Sequence, residues 1–253
     1  MLLRMNMIEL PNSLKNLVIS KSKYDLSFAQ TEEELTQLQR LRFEVFNQEL
    51  NAGKTSSVSL QKDQDEYDQF SHHMMIKDRN TGEIVSTIRV QEYKSASENI
   101  GFYTSEIFDT SELPAAIMQK SVEMGRFCTK QEHRSIKTFY LIKAGLDRYL
   151  EATKNNHFIG CFSLITQNSD EAYSFLDKLK QEGYIHSDFS AKAMPQYECP
   201  PRISWCNTSP PSETSKLLKF YYALGTRIAS PPALDTEFKT IDFLIVNSNY
   251  APK

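Results

Sequence analysis

Three charged residues stand inside stretches that otherwise read as buried β-strands. Arg89 lies in the apolar run Ile84–Val90, and Glu123 and Arg126 lie in Ser121–Cys128. An unpaired charge is costly to bury, so a strand that carries one must bring it a partner. The chain supplies partners in an acidic cluster, Asp63-Gln-Asp65-Glu-Tyr67-Asp68, and in Arg42. Arg89 with the cluster is a natural pair, as is Arg42 with one of Asp63, Asp65 or Asp68. From these residues alone two readings stand open: a structural ion-pair network or solvated charged face, and a catalytic site.

The surrounding pattern alternates strand and helix signals. Tyr24–Ala29 alternates as a short strand, and Thr31–Leu50 reads as a helix, with Thr31 and Glu34 as a capping box. In that helix Leu35, Leu38, Leu41, Val45 and Phe46 recur at helical spacing. Asn51–Gln69 is polar and reads as a loop. His72–Lys77 and Glu83–Gln91 flank turn residues Asn80 to Gly82 and form a β-hairpin. Ser121–Cys128 is a further strand. Ile136–Leu150 is an amphipathic helix with Phe139, Ile142, Leu146 and Tyr149 on its apolar face. His157–Ile165 reads as a buried strand. Ser169–Gln181 reads as a helix capped by Ser169 and stopped at Gly183. Ile185–Pro211 has no period, Glu213–Leu224 is a helix ended by Gly225, and Lys239–Asn247 is a last strand. This order predicts an α/β (α+β) fold, a mixed central sheet flanked by helices. Residues 24–250 form one domain, behind an N-terminal tail of residues 1–23.

Composition narrows the function classes. The chain has 253 residues, 40% hydrophobic, and a net charge of −3. That is enough apolar material for a sizeable core and argues against a strongly basic nucleic-acid binder. Cys128, Cys161, Cys199 and Cys206 lie far apart, without the short spacing of a zinc or redox pair. They read as reduced thiols of a cytoplasmic protein. No run of ~18 apolar residues suggests a membrane span. The first 23 residues carry Arg4, Lys15, Lys21 and Lys23 against Glu9, which fits a frayed tail or a weak contact with a membrane surface. There is no GxSxG elbow, no GxGxxG after a strand and no GxxxxGK[ST]. His72-His73 lacks the spacing of a helical zinc pair, and the acidic run lacks the Gly and Glu of an EF-hand loop. No metal and no permanently bound cofactor is expected.

Several motifs, in order, resemble a known family. They are Leu41-Arg42-Phe43-Glu-Val45-Phe46, Asp65-Glu-Tyr67-Asp68 with His73, Ser86-Thr87-Ile88-Arg89, Phe102–Asp109, Glu123-Met-Gly125-Arg126-Phe-Cys128, Tyr221–Gly225 and Asp235–Asp242. The chain resembles the haemolysin-like N-acyltransferases that make lyso-ornithine lipid and the long-chain N-acyl amino acid synthases, which group with the autoinducer synthases. The resemblance implies a GNAT-like acyl-CoA N-acyltransferase fold with the acyl thioester between two splayed strands. It implies transfer of a long-chain acyl group to the amine of an amino acid such as ornithine. It further implies Glu123, Arg126 and His73 as catalytic residues, and Arg42, Asp65, Asp68 and Arg89 as a connected charged network. Cys128, Arg134 and Lys137 would lie at the donor.

The sequence also departs from the family pattern. Ser86 and Ile88 replace a usual Gly and Tyr, and Phe127 stands where Ser is usual. The phosphate loop expected near Arg134 reads His133-Arg134-Ser-Ile-Lys137, with no glycine. A glycine-poor turn offers a pyrophosphate fewer close backbone N–H groups. The implied donor is therefore acyl carrier protein, whose arm has one phosphodiester, ahead of coenzyme A. Two other readings remain: an S-adenosylmethionine-using autoinducer synthase, and a non-catalytic acyl- or lipid-binding module. Phe127 and the acidic cluster lean toward the former. The Asp235–Asp242 block and the single tryptophan, Trp205, lean away from it. The aromatics of His157–Ile165 and Phe220–Tyr222 read either as an acyl-tunnel lining or as ordinary core.

Overall fold

The computed structural model describes residues 7–204 and 212–247. Trp205 and Cys206, with Arg4, lie outside the described residues. In chain order, α1 (Asn12–Lys15) precedes strands β1 (Ile19–Lys21) and β2 (Tyr24–Phe28) and helices α2 (Glu32–Phe43) and α3 (Ser56–Leu60). Then come β3 (His72–Asp78), β4 (Ile84–Glu92), α4 (Tyr93–Glu98), α5 (Thr104–Ile107), α6 (Ala115–Met118) and β5 (Ser121–Thr129). The remainder is α7 (Ile136–Thr153), β6 (His157–Leu164), α8 (Ser169–Gln181), α9 (Ser212–Ala223), β7 (Arg227–Ile228), β8 (Ala233–Asp235) and β9 (Thr240–Asn247). The strand pairings described below are antiparallel and carry helices, so the class is α+β. No described helix is long and apolar enough to cross a membrane.

The chain divides into two compact units. The first holds the residues up to Gly101 together with Val122–Asn155. In it β1, β2, β3, β4 and β5 pair antiparallel in sequence order. Side chains alternate across a strand, so the sheet has two distinct faces. One face carries Met74, Leu26 and Ile88, all buried, against α7. That helix starts on a capping box in which the Ser135 and Thr138 side chains each take the other's backbone N–H. It buries Leu141, Ile142, Leu146 and Tyr149, while Phe139 is only half-buried. Tyr149 stacks on Phe28, and its hydroxyl lies 2.8 Å from His72 Nδ1. The other face lies under α2, where Leu38, Leu41 and Val45 cluster with Met75 and Cys128.

Several local expectations need correction. The helix read as Thr31–Leu50 ends its α-helical part at Phe43 and continues as a π-helical turn over Glu44–Glu49. A widened turn keeps Val45 in the apolar cluster, and apolar spacing alone cannot distinguish it from a regular turn. Thr31 caps α2 by accepting from Glu34 N–H, but the Glu34 carboxylate accepts from Gln30 N–H. Asn51–Gln69 is not a plain loop: it holds α3 and the start of a 3-10 turn, Glu66–Phe70, set by a capping box between Asp65 and Asp68. The cap of α8 is Asn168, accepting from Asp170 N–H at 2.9 Å, rather than Ser169. Residues 7–23 do not fray either. Leu10 and Leu14 are buried, β1 pairs with β2, and Glu9 O receives a bond from His72 Nε2 at 3.2 Å.

The second unit holds Phe102–Ser121 and residues from Asn156 onward. In it β9 pairs antiparallel with β6, β7 and β8. Phe162 stacks on Phe175 and meets Tyr221 edge-on, and Phe175 meets Phe243. These aromatics are buried against one another, as a core is. Two of the motif blocks meet here, through Tyr103 Oη donating to Asp235 at 3.4 Å.

Gly145 marks the closest approach of α7 to the sheet. A Cβ there would lie 2.9 Å from both Leu26 Cδ2 and Met74 Sδ. Helix propensity alone favours replacing a mid-helix glycine with leucine by about 1 kcal/mol. Overpacking against two buried side chains reverses the sign. Gly145→Leu is expected to lower unfolding free energy by about 1–3 kcal/mol in urea titration.

Candidate active site

The acidic cluster and the strand charges meet on the α2 face of the first unit. From α2, Arg42 donates through Nε to Asp63 at 2.7 Å and through Nη1 and Nη2 to Asp68 at 2.8 and 3.1 Å. From β4, Arg89 Nη1 donates to Asp68 at 2.9 Å and also to Asp65. From β5, Arg126 Nη2 donates to Asp65 at 2.8 Å, and its Nε stands 3.3 Å from Asp63. Three arginines and three aspartates thus neutralise one another in a buried layer. Gln39, one turn before Arg42, adds a bond to Asp68 at 3.0 Å. The Arg89 guanidinium also lies over the Tyr67 ring, 5.5 Å from its centroid.

The electrostatics follow from this pairing. Burial by itself would raise the Asp68 carboxyl, but the Arg42 and Arg89 guanidiniums outweigh it and hold the group well below the usual carboxylate range. Asp65 is lowered too, burial being opposed by Arg89 and Arg126. Both aspartates are therefore fixed anions and poor proton acceptors. Arg42 is raised, since Asp68 and Asp63 outweigh its desolvation.

His73 lies opposite Arg89 in the β3–β4 register. Its Nε2 is 3.0 Å from Asp68 O. A carbonyl only accepts, so Nε2 carries the proton and Nδ1 presents a lone pair. Burial pushes His73 down to about 4, despite the opposing pull of Asp68. His72 falls to about 4 as well, chiefly by burial. A general base works best with a pKa near the operating pH, which disfavours His73 in that role.

The strand β5 is irregular where its charges sit. Thr87 pairs with Cys128 and Arg89 with Gly125, so Arg126 and Phe127 together face Ile88 alone. This is a β-bulge. Arg126 occupies it with φ +51, a left-handed conformation that side-chain-bearing residues rarely adopt. The bonds of Arg126 to the aspartates hold it there. Glu123, 3% exposed, precedes the bulge and lies opposite Gln91.

The residues expected at the donor are arranged less openly. The Cys128 thiol is buried and pushed up by that burial, which makes it apolar filling rather than a nucleophile. Arg134 is tied to Glu49 at 2.5 Å and to Thr129 O at 3.0 Å. Lys137 is exposed and reaches Ser22 Oγ at 3.3 Å. Reasoning from sequence grouped Arg42, Asp65, Asp68, His73, Arg89 and Arg126 in one place, as observed. It omitted two buried amides, Gln39 and Gln91. Gln39 had a readable signal in its spacing of three residues from Arg42; Gln91 had one in lying two residues after Arg89.

Two measurements test this layer. Replacing Arg126 with glycine or with alanine removes its ion pairs in both cases, but only glycine also relieves the backbone. Arg126→Gly is thus expected to be more stable than Arg126→Ala by about 1 kcal/mol in chemical denaturation. The second concerns pH. His72 and His73 are depressed in the fold, so the unfolded chain binds protons first as pH falls below about 6.5. Unfolding free energy is expected to drop by a few kcal/mol between about pH 6.5 and 4, with a further fall as Asp65 and Asp68 protonate at lower pH. Denaturant midpoints across that range check it.

Comparison with known proteins agrees with this architecture. The family model for the acetyltransferase (GNAT) domain matches residues 41–144. The chain is 26% identical to an L-ornithine N(alpha)-acyltransferase of Brucella abortus (strain 2308), over 82% of this chain and 78% of that protein. It is 27% identical to the L-ornithine N(alpha)-acyltransferase of Agrobacterium fabrum (strain C58), over 86% of this chain and 78% of the relative. Among solved structures, the N-acyl amino acid synthase FeeM from uncultured soil microbes has the same fold. It matches with a TM-score of 0.50 and 11% identity, covering 91% of this chain and 92% of FeeM. Residues 41–144 thus match a GNAT domain model on a GNAT-like fold, and the chain is similar over most of its length to L-ornithine N(alpha)-acyltransferases.

Proposed function

We propose that this acyltransferase moves a long-chain acyl group from a carrier thioester to the α-amine of an amino acid such as ornithine. The observation that carries the reading is kinship to L-ornithine N(alpha)-acyltransferases along most of the chain. Acylation needs a neutral amine, and an α-amino group with a pKa of about 8 is mostly protonated at neutral pH. Some group must take that proton. Asp65 and Asp68 are held as anions by arginine, and His73 is depressed by burial. Elimination favours Glu123, buried beside the β5 bulge.

In the proposed step Glu123 takes one proton from the ammonium, and the neutral amine nitrogen then attacks the thioester carbonyl carbon. A C–N bond forms, the C–S bond breaks, and the thiolate leaves and takes the second proton, which the acylated nitrogen sheds. The carbonyl oxygen becomes an oxyanion on the way. The extra residue of a bulge drops out of the ladder, so a backbone N–H near Arg126 is a suitable donor to it. Arg126 itself is assigned the positioning of that backbone. Arg42, Arg89, Asp65 and Asp68 are assigned its support.

For the donor we favour acyl carrier protein over coenzyme A. The start of α7 is closed by its own Ser135–Thr138 capping box. Arg134 beside it is engaged by Glu49. Such a turn suits a single phosphodiester better than a pyrophosphate.

The test supplies acyl carrier protein thioester or acyl-CoA, with a panel of amino acids including ornithine. N-acyl product is expected, with the carrier thioester preferred. Glu123→Gln is expected to lower kcat by roughly 10²–10⁴-fold with an unchanged circular dichroism spectrum. The reading fails if no amine is acylated while a proven relative works in parallel. The role of Glu123 fails if the variant turns over at the wild-type rate.

A further inference from the structure

Polar atoms without partners gather on one face of the first unit. Among the described residues His73 Nδ1, Arg89 Nη2 and both amide atoms of Gln91 are buried without a hydrogen-bond partner. Gln91 is the extreme case, because it is 1% exposed and its whole functional group is unused. Gln39 gives the contrast within the same unit. It is 2% exposed, and its amide donates to Asp68 at 3.0 Å. Buried polar groups are nearly always bonded, so an idle amide needs a reason.

Its position suggests one. In the β4–β5 register Gln91 is opposite Glu123 and Arg89 is opposite Gly125. A Cβ on Gly125 would lie 3.9 Å from the Arg89 guanidinium, which places Arg89 over Gly125. Residues two apart in a strand share a face. Gln91 and Glu123 therefore stand side by side, next to the arginine–aspartate layer. Cβ atoms of directly opposed residues lie about 4.5–5.5 Å apart.

We propose that Gln91 contacts the acceptor in the acyl-transfer reaction, its Oε1 accepting a hydrogen bond from the acceptor amine and holding that nitrogen against Glu123. This assignment rests on the reading of Glu123 as the base. An amine entering as ammonium carries three N–H groups. Glu123 takes one proton, Gln91 Oε1 fixes a second N–H, and the lone pair is left to face the thioester carbon. A neutral amide suits this work better than a second carboxylate. It orients the nitrogen without adding an anion beside Glu123, and it stabilises the ammonium less, so the proton leaves more readily.

The test varies acceptor and donor independently for wild type, Gln91→Leu and Gln91→Met. Leucine and methionine remove the idle polar atoms at similar volume, so folding should survive. The expected result is a fall of tenfold or more in kcat/KM for the amino acid. Donor KM should stay within twofold, and the thermal midpoint should be unchanged or raised. An acceptor kcat/KM within twofold of wild type in either folded variant overturns the proposal. So does a parallel loss for donor and acceptor with a lowered midpoint, the signature of a structural role. If wild type itself acylates no amine, the underlying functional reading falls and this one with it. Normal wild-type turnover with unaltered variants removes only the role of Gln91.

Discussion

Asp68 organises the first unit more than any other residue. It is fully buried, and it binds two guanidiniums and one amide brought by α2 and β4. Its side chain also closes the capping box of the turn that bears it. Breaking one member of such a set would leave an uncompensated buried charge, which is strongly destabilising. The pairing therefore constrains helix, turn and sheet together. The polar turn over Glu66–Phe70 is ordered largely through its aspartates, with the Tyr67 ring beneath Arg89.

That layer also explains the unusual backbone of β5. A side-chain-bearing residue at φ +51 persists only where its surroundings over-determine it. Arg126 is anchored at Asp65 and Asp63, which belong to the same layer. Strain at the bulge and pairing in the layer are thus one device. Such concentration of strain and buried polarity is typical of working sites. On the opposite face of the same sheet the buried apolar side chains of Leu26, Met74 and Ile88 pack under α7. One sheet thereby divides its labour, with cohesion on the α7 face and chemistry assigned to the α2 face.

Much of this was legible in the residues. Arg89 within Ile84–Val90 demanded an anion, and Asp63–Asp68 was the evident source for it and for Arg42; that Arg126 turns to Asp65 and Asp63 emerged only in the structure. The hairpin, the long amphipathic helix and the closing strand all emerged from period and turn chemistry. Three of the errors share a cause. The π-helical turn after Phe43, the helical pieces in Asn51–Gln69 and the packing of Leu10 and Leu14 each depend on contacts distant in sequence. Local propensity carries no information about those contacts. Cys128 is a subtler instance. It lies in the motif with Glu123 and Arg126, yet its thiol is apolar filling under α2.

Sequence by itself determined the class of fold, the family likeness and which charged residues needed partners, because pattern and charge balance are properties of residue type and order. Tertiary structure alone decided which arginine holds which aspartate, that Arg126 sits in a left-handed bulge, and that His73 is neutral with Nδ1 bare. It also set Gln91 idle beside Glu123. These are matters of distance and desolvation. A sequence specifies which groups must be paired, but only the packed chain brings particular atoms within bonding range and removes the water that would otherwise satisfy them.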